Sequence, residues 1–287
     1  MAKTQNIATS IRQRLLNLSR ENESDFGIVL LSYALERLIY RLSISEHENN
    51  FILKGGMLVT LWTKDQSRFT RDVDFLSFGS DDEDALLGVF NEILSLEAED
   101  GLIFDTAALS ATEIREEQVY GGVRLKTQAY LDKAKIPITI DIGFGDAVTD
   151  PGFTIEYPSL LDLPSASIRA YSPATVIAEK FQAVVALGLI NGRMKDFYDL
   201  WAIPQSQSVS EKELAAALLS TFERRETKIP IERPPGLSIE FSSDLQKSSQ
   251  WLAYAESIDL SNVSLENVID EIWSYLKPIC RTIHNSE

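Results

Sequence analysis

The chain has 287 residues, of which 44% are hydrophobic, and carries a formal net charge of −16 with one cysteine and two histidines. That apolar content supports one large domain or two smaller ones, and the acidic balance argues against a protein that coats nucleic acid nonspecifically, leaving room for a local basic patch. Cys280 has no partner for an internal disulfide, and with only His47 and His284 beside it a zinc site built from several Cys or His ligands within the chain is excluded; any metal must rest on oxygen, with Mg²⁺ or Mn²⁺ as the natural candidates.

Residues 1–48 read as helical, with Leu31, Leu35, Leu38 and Leu42 at helical spacing. The N-terminus is interrupted by charge before any signal-like apolar core develops, and apolar runs such as AVVALGLI fall short of the roughly 20 residues that cross a bilayer, so a cytoplasmic protein with no membrane span is expected. NFILKGGMLVTLW begins as a short strand, Phe51 to Leu53, turns at Gly55–Gly56 and continues as a helix with Leu58, Leu61 and Trp62. RDVDFLSF predicts a second strand, and DDEDALLGVFNEILSL a helix whose acidic first turn suits the positive end of its dipole. GVRLKTQAYL and IPITIDIGFGD predict neighbouring strands separated by the turn-like DKAK. The Pro- and Ser-rich YPSLLDLPSASIRAYSP marks the expected boundary between domains at 1–170 and 171–287. Beyond it, Ser172 reads as an N-cap with Pro173 at the first helical position, and Asn191–Gly192 is expected to end that helix. RMKDFYDLWAI follows with Met194, Phe197, Tyr198 and Trp201 in one apolar stripe, while the polar stretch 205–249 has no assigned element.

Residues two apart on a strand face the same way, so Asp72 and Asp74 point together while Val73 and Phe75 point to the other face. The strand near 140 repeats the pattern: Ile136, Ile138, Ile140 and Ile142 share one face, leaving Thr139 and Asp141 on the other. If the two strands are neighbours, three carboxylates converge. Without a cation such a cluster raises its own pKa values; a divalent ion turns it into a site, and two metals about 4 Å apart are what phosphoryl and nucleotidyl transfer use. An isolated Asp-x-Asp is common at solvated strand ends, and an isolated Gly-Gly is an ordinary turn. Together, a strand running into Gly55–Gly56 and a helix, then the Asp pair, then Asp141, form a nucleotidyltransferase pattern in which backbone N–H groups can approach an anion.

FILKGGMLVTLW, RFTRDVDF, ITIDIGFGD, YPSLLDLP and AEKFQAVVALGLINGRMKDFYDLW, covering about 50–205, resemble the AbiEii-like nucleotidyltransferase toxins of the DNA polymerase β-like superfamily. The resemblance implies an α+β fold: a minimal nucleotidyltransferase mixed sheet flanked by helices and followed by a helical C-terminal domain. By position, Asp72 and Asp74 match the family's metal-binding carboxylates, Lys180 its nucleotide-contacting lysine, and Asp196 with Asp199 its last motif. Gly55 and Gly56 match the phosphate-facing turn, with Gly-Gly in place of the superfamily's common Gly-Ser, which leaves backbone amides or Lys54 to meet phosphate. From spacing, Lys195, Asp196 and Asp199 can share the helix face opposite the apolar stripe. Arg68 and Arg71 flank the carboxylates and can meet phosphate or balance the acids; Arg124 and Lys126 face one way on the intervening strand and suit a triphosphate or an RNA backbone. Asp146 ranks below Asp141 as a turn residue.

The expected activity is Mg²⁺- or Mn²⁺-dependent transfer of a nucleotidyl group from a nucleoside triphosphate (NTP), with Asp72, Asp74 and Asp141 as metal ligands, Asp141 alternatively taking the hydroxyl proton, and Lys180 and Asp196 completing the catalytic set. Resemblance implies RNA as acceptor, the 3′ end of tRNA, growth arrest as outcome and a cognate antitoxin from the same operon. Arg124, Lys126, Arg193 and Lys195 are candidates for local RNA contact. The rival readings are transfer to a protein or small-molecule hydroxyl, and a non-catalytic nucleotide-binding partner of the same fold. The base of the triphosphate and the oligomeric state have no signature in the residues.

Overall fold

The computed structural model describes residues 2–65, 67–114 and 121–286. The chain forms two compact units: Met1–Leu58, Phe69–Gly145 and Gly152–Ala170 make up the first, and Val59–Arg68, Asp146–Pro151 and Tyr171–Glu287 the second.

In the first unit, helices α1 (Ala2–Glu21) and α2 (Phe26–Ser43) precede strand β1 (Phe51–Lys54), and α3 (Gly56–Thr63) begins directly after Gly55. Next come β2 (Val73–Ser77), α4 (Glu83–Ser95), β3 (Leu102–Phe104), β4 (Ser110–Ile114), β5 (Gly122–Leu131), β6 (Ala134–Phe144), β7 (Thr154–Tyr157) and β8 (Ala166–Arg169). The caps follow the sequence: the Asp25 side chain accepts from Ile28 N and the Asp82 side chain from Ala85 N, each satisfying a helix-start donor. The main sheet runs β1-β2-β6-β5-β3, with β4 also paired to β5. Only β2 and β6 among these pairs run parallel, so the sheet is mixed. Strands β7 and β8 form a separate hairpin-like pair.

Alternation divides the sheet into two chemistries. Ile136, Ile138, Ile140 and Ile142 are all buried as expected, together with Val123, Leu125, Ala129 and Leu131 of β5. Helix α2 packs on β6 and α1 on β5. Phe51, Phe75 and Phe90 interlock beside them, with Phe51 and Phe90 edge to face at 5.3 Å. The even positions of β5 and the odd positions of β6 therefore form a polar face that includes Arg124, Lys126, Thr139 and Asp141.

The β5–β6 turn is tighter than DKAK implied. Only Asp132 and Lys133 lie outside the strands, Asp132 takes a positive φ of 53°, and Leu131 pairs with Ala134. That two-residue geometry matches the twist of the flanking strands.

The second unit is helical in its C-terminal run: α5 (Pro173–Leu187), α6 (Met194–Ser206), α7 (Glu211–Arg224), α8 (Ile239–Ser243), α9 (Leu245–Glu256) and α10 (Leu265–Ser286). Ser172 caps α5 with Pro173 in its first turn, as predicted, but the helix stops at Leu187: Gly188 turns the backbone to a φ of +52°, and a 3₁₀ turn, rather than further α-helix, leads to Asn191–Gly192. Elements α7, α8 and part of α9 occupy the stretch that had no assignment. Ser210 and Glu213 form a reciprocal capping box at the start of α7. Pro173–Ile190 is long and apolar enough to cross a membrane by composition. Its helix instead packs on α6 and α7, with Phe181 against Phe222 at 5.6 Å.

Candidate active site

Strand pairing sets two of the expected carboxylates side by side. Asp74 on β2 and Asp141 on β6 are Cα partners in the parallel pair, and neighbouring strands lie about 4.8 Å apart. Asp72 precedes β2 by one residue, two before Asp74, and all three carboxylates are partly exposed while Val73 and Phe75 are buried. Lys54, at the end of β1, is the antiparallel partner of Asp74.

The glycine pair has a steric reason. Gly55 has a φ of +74°, and a Cβ there would collide with the Asp74 carboxylate. A Cβ on Gly56 would lie 2.8 Å from both Cβ and Oγ1 of Thr70. Thr70 in turn donates its hydroxyl to Asp72 Oδ1 at 2.5 Å. Both glycines are thus needed for the carboxylate-bearing segment to approach the turn. Thr70 was not among the expected site residues; its signal is the spacing of a hydroxyl two before an Asp, which favours a local side-chain bond.

Arg124 is the Cα partner of Asp141 across the β5–β6 pair. Its Nε donates to Asp141 Oδ1 at 2.7 Å and its Nη2 to Oδ2 at 2.6 Å, so one guanidinium holds both oxygens. That hydrogen bonding to Asp141 is the main reason its pKa lies above the ordinary arginine value; burial works against it, and the charges of Asp141, Asp72 and Asp74 add to it. Arg71 is exposed, its guanidinium 5.6 Å from the Phe69 ring.

A metal ion fits the chemistry of this set, since carboxylate oxygens are hard donors. Among the described residues no group of three or more His, Cys, Asp or Glu side chains is assembled to hold one. Asp141 stands beside Asp74, and both of its oxygens accept from Arg124.

The second unit carries its own ionic cluster. Lys180 on α5 reaches Asp196 Oδ1 at 2.6 Å and Asp199 Oδ2 at 2.8 Å on α6. Arg68 grips Asp199 with Nε to Oδ1 and Nη2 to Oδ2, both at 2.8 Å. Asp199 therefore does not share a solvated face with Lys195: it is 0% exposed and Arg68 4%, while Lys195 is exposed. Arg68 is likewise withdrawn from the phosphate-meeting role open to it in the sequence. Burial opposes the charge on Asp199, but the Lys180 ammonium and the Arg68 guanidinium outweigh it and hold the carboxyl below its usual range. Burial also opposes the Lys180 charge, and Asp196 and Asp199 reverse that effect, raising its pKa. Asp146 is tied to Arg225 at 3.0 Å, and Arg225 also meets Glu179 at 3.1 Å. These contacts give Asp146 a structural tie.

Residues 37–273 match the family model of the nucleotidyl transferase AbiEii toxin of type IV TA systems. Among solved structures the chain is similar to a candidate nucleotidyltransferase from H. pylori, at 17% identity over 90% of this chain and 97% of that one, with a TM-score of 0.47. It is also similar to JHP933 from Helicobacter pylori, at 17% identity over 88% and 92%, with a TM-score of 0.46. No curated protein matches the chain.

Proposed function

Since the chain belongs to the AbiEii nucleotidyltransferase toxin family of type IV toxin–antitoxin systems and is a nucleotidyltransferase, we propose that its acceptor is the 3′ end of tRNA and that Mg²⁺ or Mn²⁺ serves the transfer. The acceptor hydroxyl oxygen forms a bond to the α-phosphorus of an NTP, the α–β phosphoanhydride bond breaks, and pyrophosphate leaves. The observation that carries this reading is the register of Asp74 with Asp141, beside the turn that only Gly55 can make.

Asp72 and Asp74 are the residues that would hold the cation, with Asp141 as a third donor or as acceptor of the hydroxyl proton. Bound there, a divalent ion supplies charge neutralisation on the polyphosphate and acidifies the attacking hydroxyl. Backbone amides at Gly55–Gly56, with Lys54 and Arg71, are assigned to phosphate, as no serine hydroxyl is present in the pair. Lys180 is assigned to triphosphate charge, its ammonium fixed by Asp196 and Asp199. The contribution of such groups is orientation and electrostatic complementarity to the transition state. The reading places the protein in the cytoplasm, where NTPs, tRNA and a cognate antitoxin are available, with growth arrest as its outcome.

The test is incubation with each of four α-labelled triphosphates, Mg²⁺, total RNA and, separately, total protein. Label is expected in RNA of tRNA size, and Asp74→Asn is expected to lower it by more than about a hundredfold while the melting temperature stays near that of the wild type. Label found in protein alone, or full transfer by a folded Asp74→Asn variant, would overturn the assignment.

A further inference from the structure

Among the described residues, Arg68–Asp199 and Arg124–Asp141 are both held side-on through Nε and Nη2, in opposite surroundings. Arg68–Asp199 is sealed, with side-chain exposures of 4% and 0%. Arg124–Asp141 is open, at 40% and 17%. An arginine fork fits phosphate as well as it fits carboxylate. Opening this part-exposed pair costs less than opening the sealed one, because water reaches the freed Arg124, whereas a buried pair leaves an uncompensated charge. Asp141 is also the carboxylate beside Asp74. A guanidinium on both its oxygens and a divalent ion compete for the same lone pairs and repel one another.

We infer that Arg124 is a removable plug on the third carboxylate: it keeps Asp141 away from metal in the nucleotide-free protein, and a phosphate group draws it off, so that Asp141 joins Asp72 and Asp74 after the triphosphate arrives. This rests on the metal reading proposed above and adds an order of binding to it. The guanidinium exchanges one anion for another, and no charge is stranded. The nucleotide thereby completes the metal site, which restrains metal-assisted chemistry until substrate is present.

The experiment is a Mn²⁺ titration followed by electron paramagnetic resonance, in nucleotide-free buffer, on the wild type, Arg124→Gln, Arg124→Lys, Asp141→Asn, the Arg124→Gln/Asp141→Asn double variant and Lys126→Gln. Arg124→Gln should bind Mn²⁺ about tenfold more tightly than the wild type, the scale of one charge-assisted hydrogen-bonded pair. Arg124→Lys, which keeps the charge and loses the fork, should fall between them. The gain should vanish in the double variant, Asp141→Asn alone should change little, and Lys126→Gln should not reproduce the gain, since Lys126 faces the same way but pairs across the strands with Thr139. In metal-free buffer a non-hydrolysable triphosphate should bind the wild type more tightly than Arg124→Gln. Equal Mn²⁺ affinity in wild type and Arg124→Gln, a gain that survives removal of Asp141, or an equal gain in Lys126→Gln would overturn the plug while leaving Asp72 and Asp74 as metal ligands. Absence of Mn²⁺ binding in every form would overturn the metal reading and the plug together.

Discussion

At the scale of single residues, Gly55 is under two constraints that act together. Its backbone lies in the left-handed region, where an alanine costs about 1–2 kcal/mol, and its missing side chain makes room for Asp74. Gly55→Ala should therefore lower stability by more than the backbone cost alone and displace the Asp74 carboxylate. Calorimetry and the labelled-nucleotide assay check both: a lower melting temperature is expected with transfer reduced further than the lost folded fraction explains. Asp199 poses a different problem, because it is the shared anion of the buried Arg68 and the part-buried Lys180. Asp199→Ala leaves Arg68 without its bidentate partner and should cost about 3–5 kcal/mol, the usual penalty for breaking a buried ion pair from one side. Denaturant unfolding reads it directly. Asp141→Ala exposes its partner Arg124 to water instead, and should cost far less. The comparison of the two variants contrasts a buried carboxylate shared by two cations with a part-exposed one held by a guanidinium.

At the scale of elements, α2 shows what sequence periodicity reaches and what it misses. The leucine spacing announces the helix, and its apolar side is buried as the pattern requires. The same helix also buries Glu36, Arg37 and Arg41, which no amphipathic pattern anticipates. The two arginines share Asp100, and Glu36 accepts from Ser159 Oγ and Leu160 N at 2.7 Å each. Burial lifts the Glu36 carboxyl from its usual 4.5 to about 7, with those hydrogen bonds pulling the other way. The unfolded chain ionises near 4.5 while the folded one keeps its proton to about 7, so folding takes up a proton across that window. Stability should fall by about 3 kcal/mol between pH 4.5 and 7 from this group. Glu36→Gln should remove that part of the slope, seen as a flatter dependence of the urea midpoint on pH. Alternation was legible where strands form: it predicts Asp74 and Asp141 opposite the buried Val73, Phe75, Ile140 and Ile142, and the β2–β6 register sets those two side by side, while Asp72 lies one residue before β2. Their engagement was not, because it depends on register. A four-residue turn at DKAK would have set Lys126 opposite Asp141; the two-residue turn puts Arg124 there. The short β3, β4, β7 and β8 were illegible for a related reason, since three to five residues carry too little alternation to stand out from loop. Asp199 escaped because its burial is set by partners on two other segments, Arg68 and Lys180, rather than by its own helix.

At the scale of the whole molecule, the net charge of −16 constrains how the proposed RNA acceptor would be held. A broad basic surface would release many counterions and give steep salt dependence. Alternation instead sets Arg124, Lys126 and Lys135 on the polar face of the β5–β6 pair, with Lys126 and Lys135 exposed. With Arg124 held by Asp141, two phosphate contacts from Lys126 and Lys135 on single-stranded RNA correspond to a slope of about −1.4 in log K against log salt, at about −0.7 per contact. Lys126→Gln should make the slope shallower by about 0.7 and weaken binding alike for all RNA sequences, because a phosphate contact positions the strand without reading it. Fluorescence anisotropy with a short single-stranded RNA, titrated over a range of monovalent salt, measures both quantities. A slope several times steeper would mean that acceptor recognition extends well beyond this sheet face. An unchanged slope in Lys126→Gln would remove the face from the acceptor path, and the local strip of positive charge would then belong to the triphosphate alone.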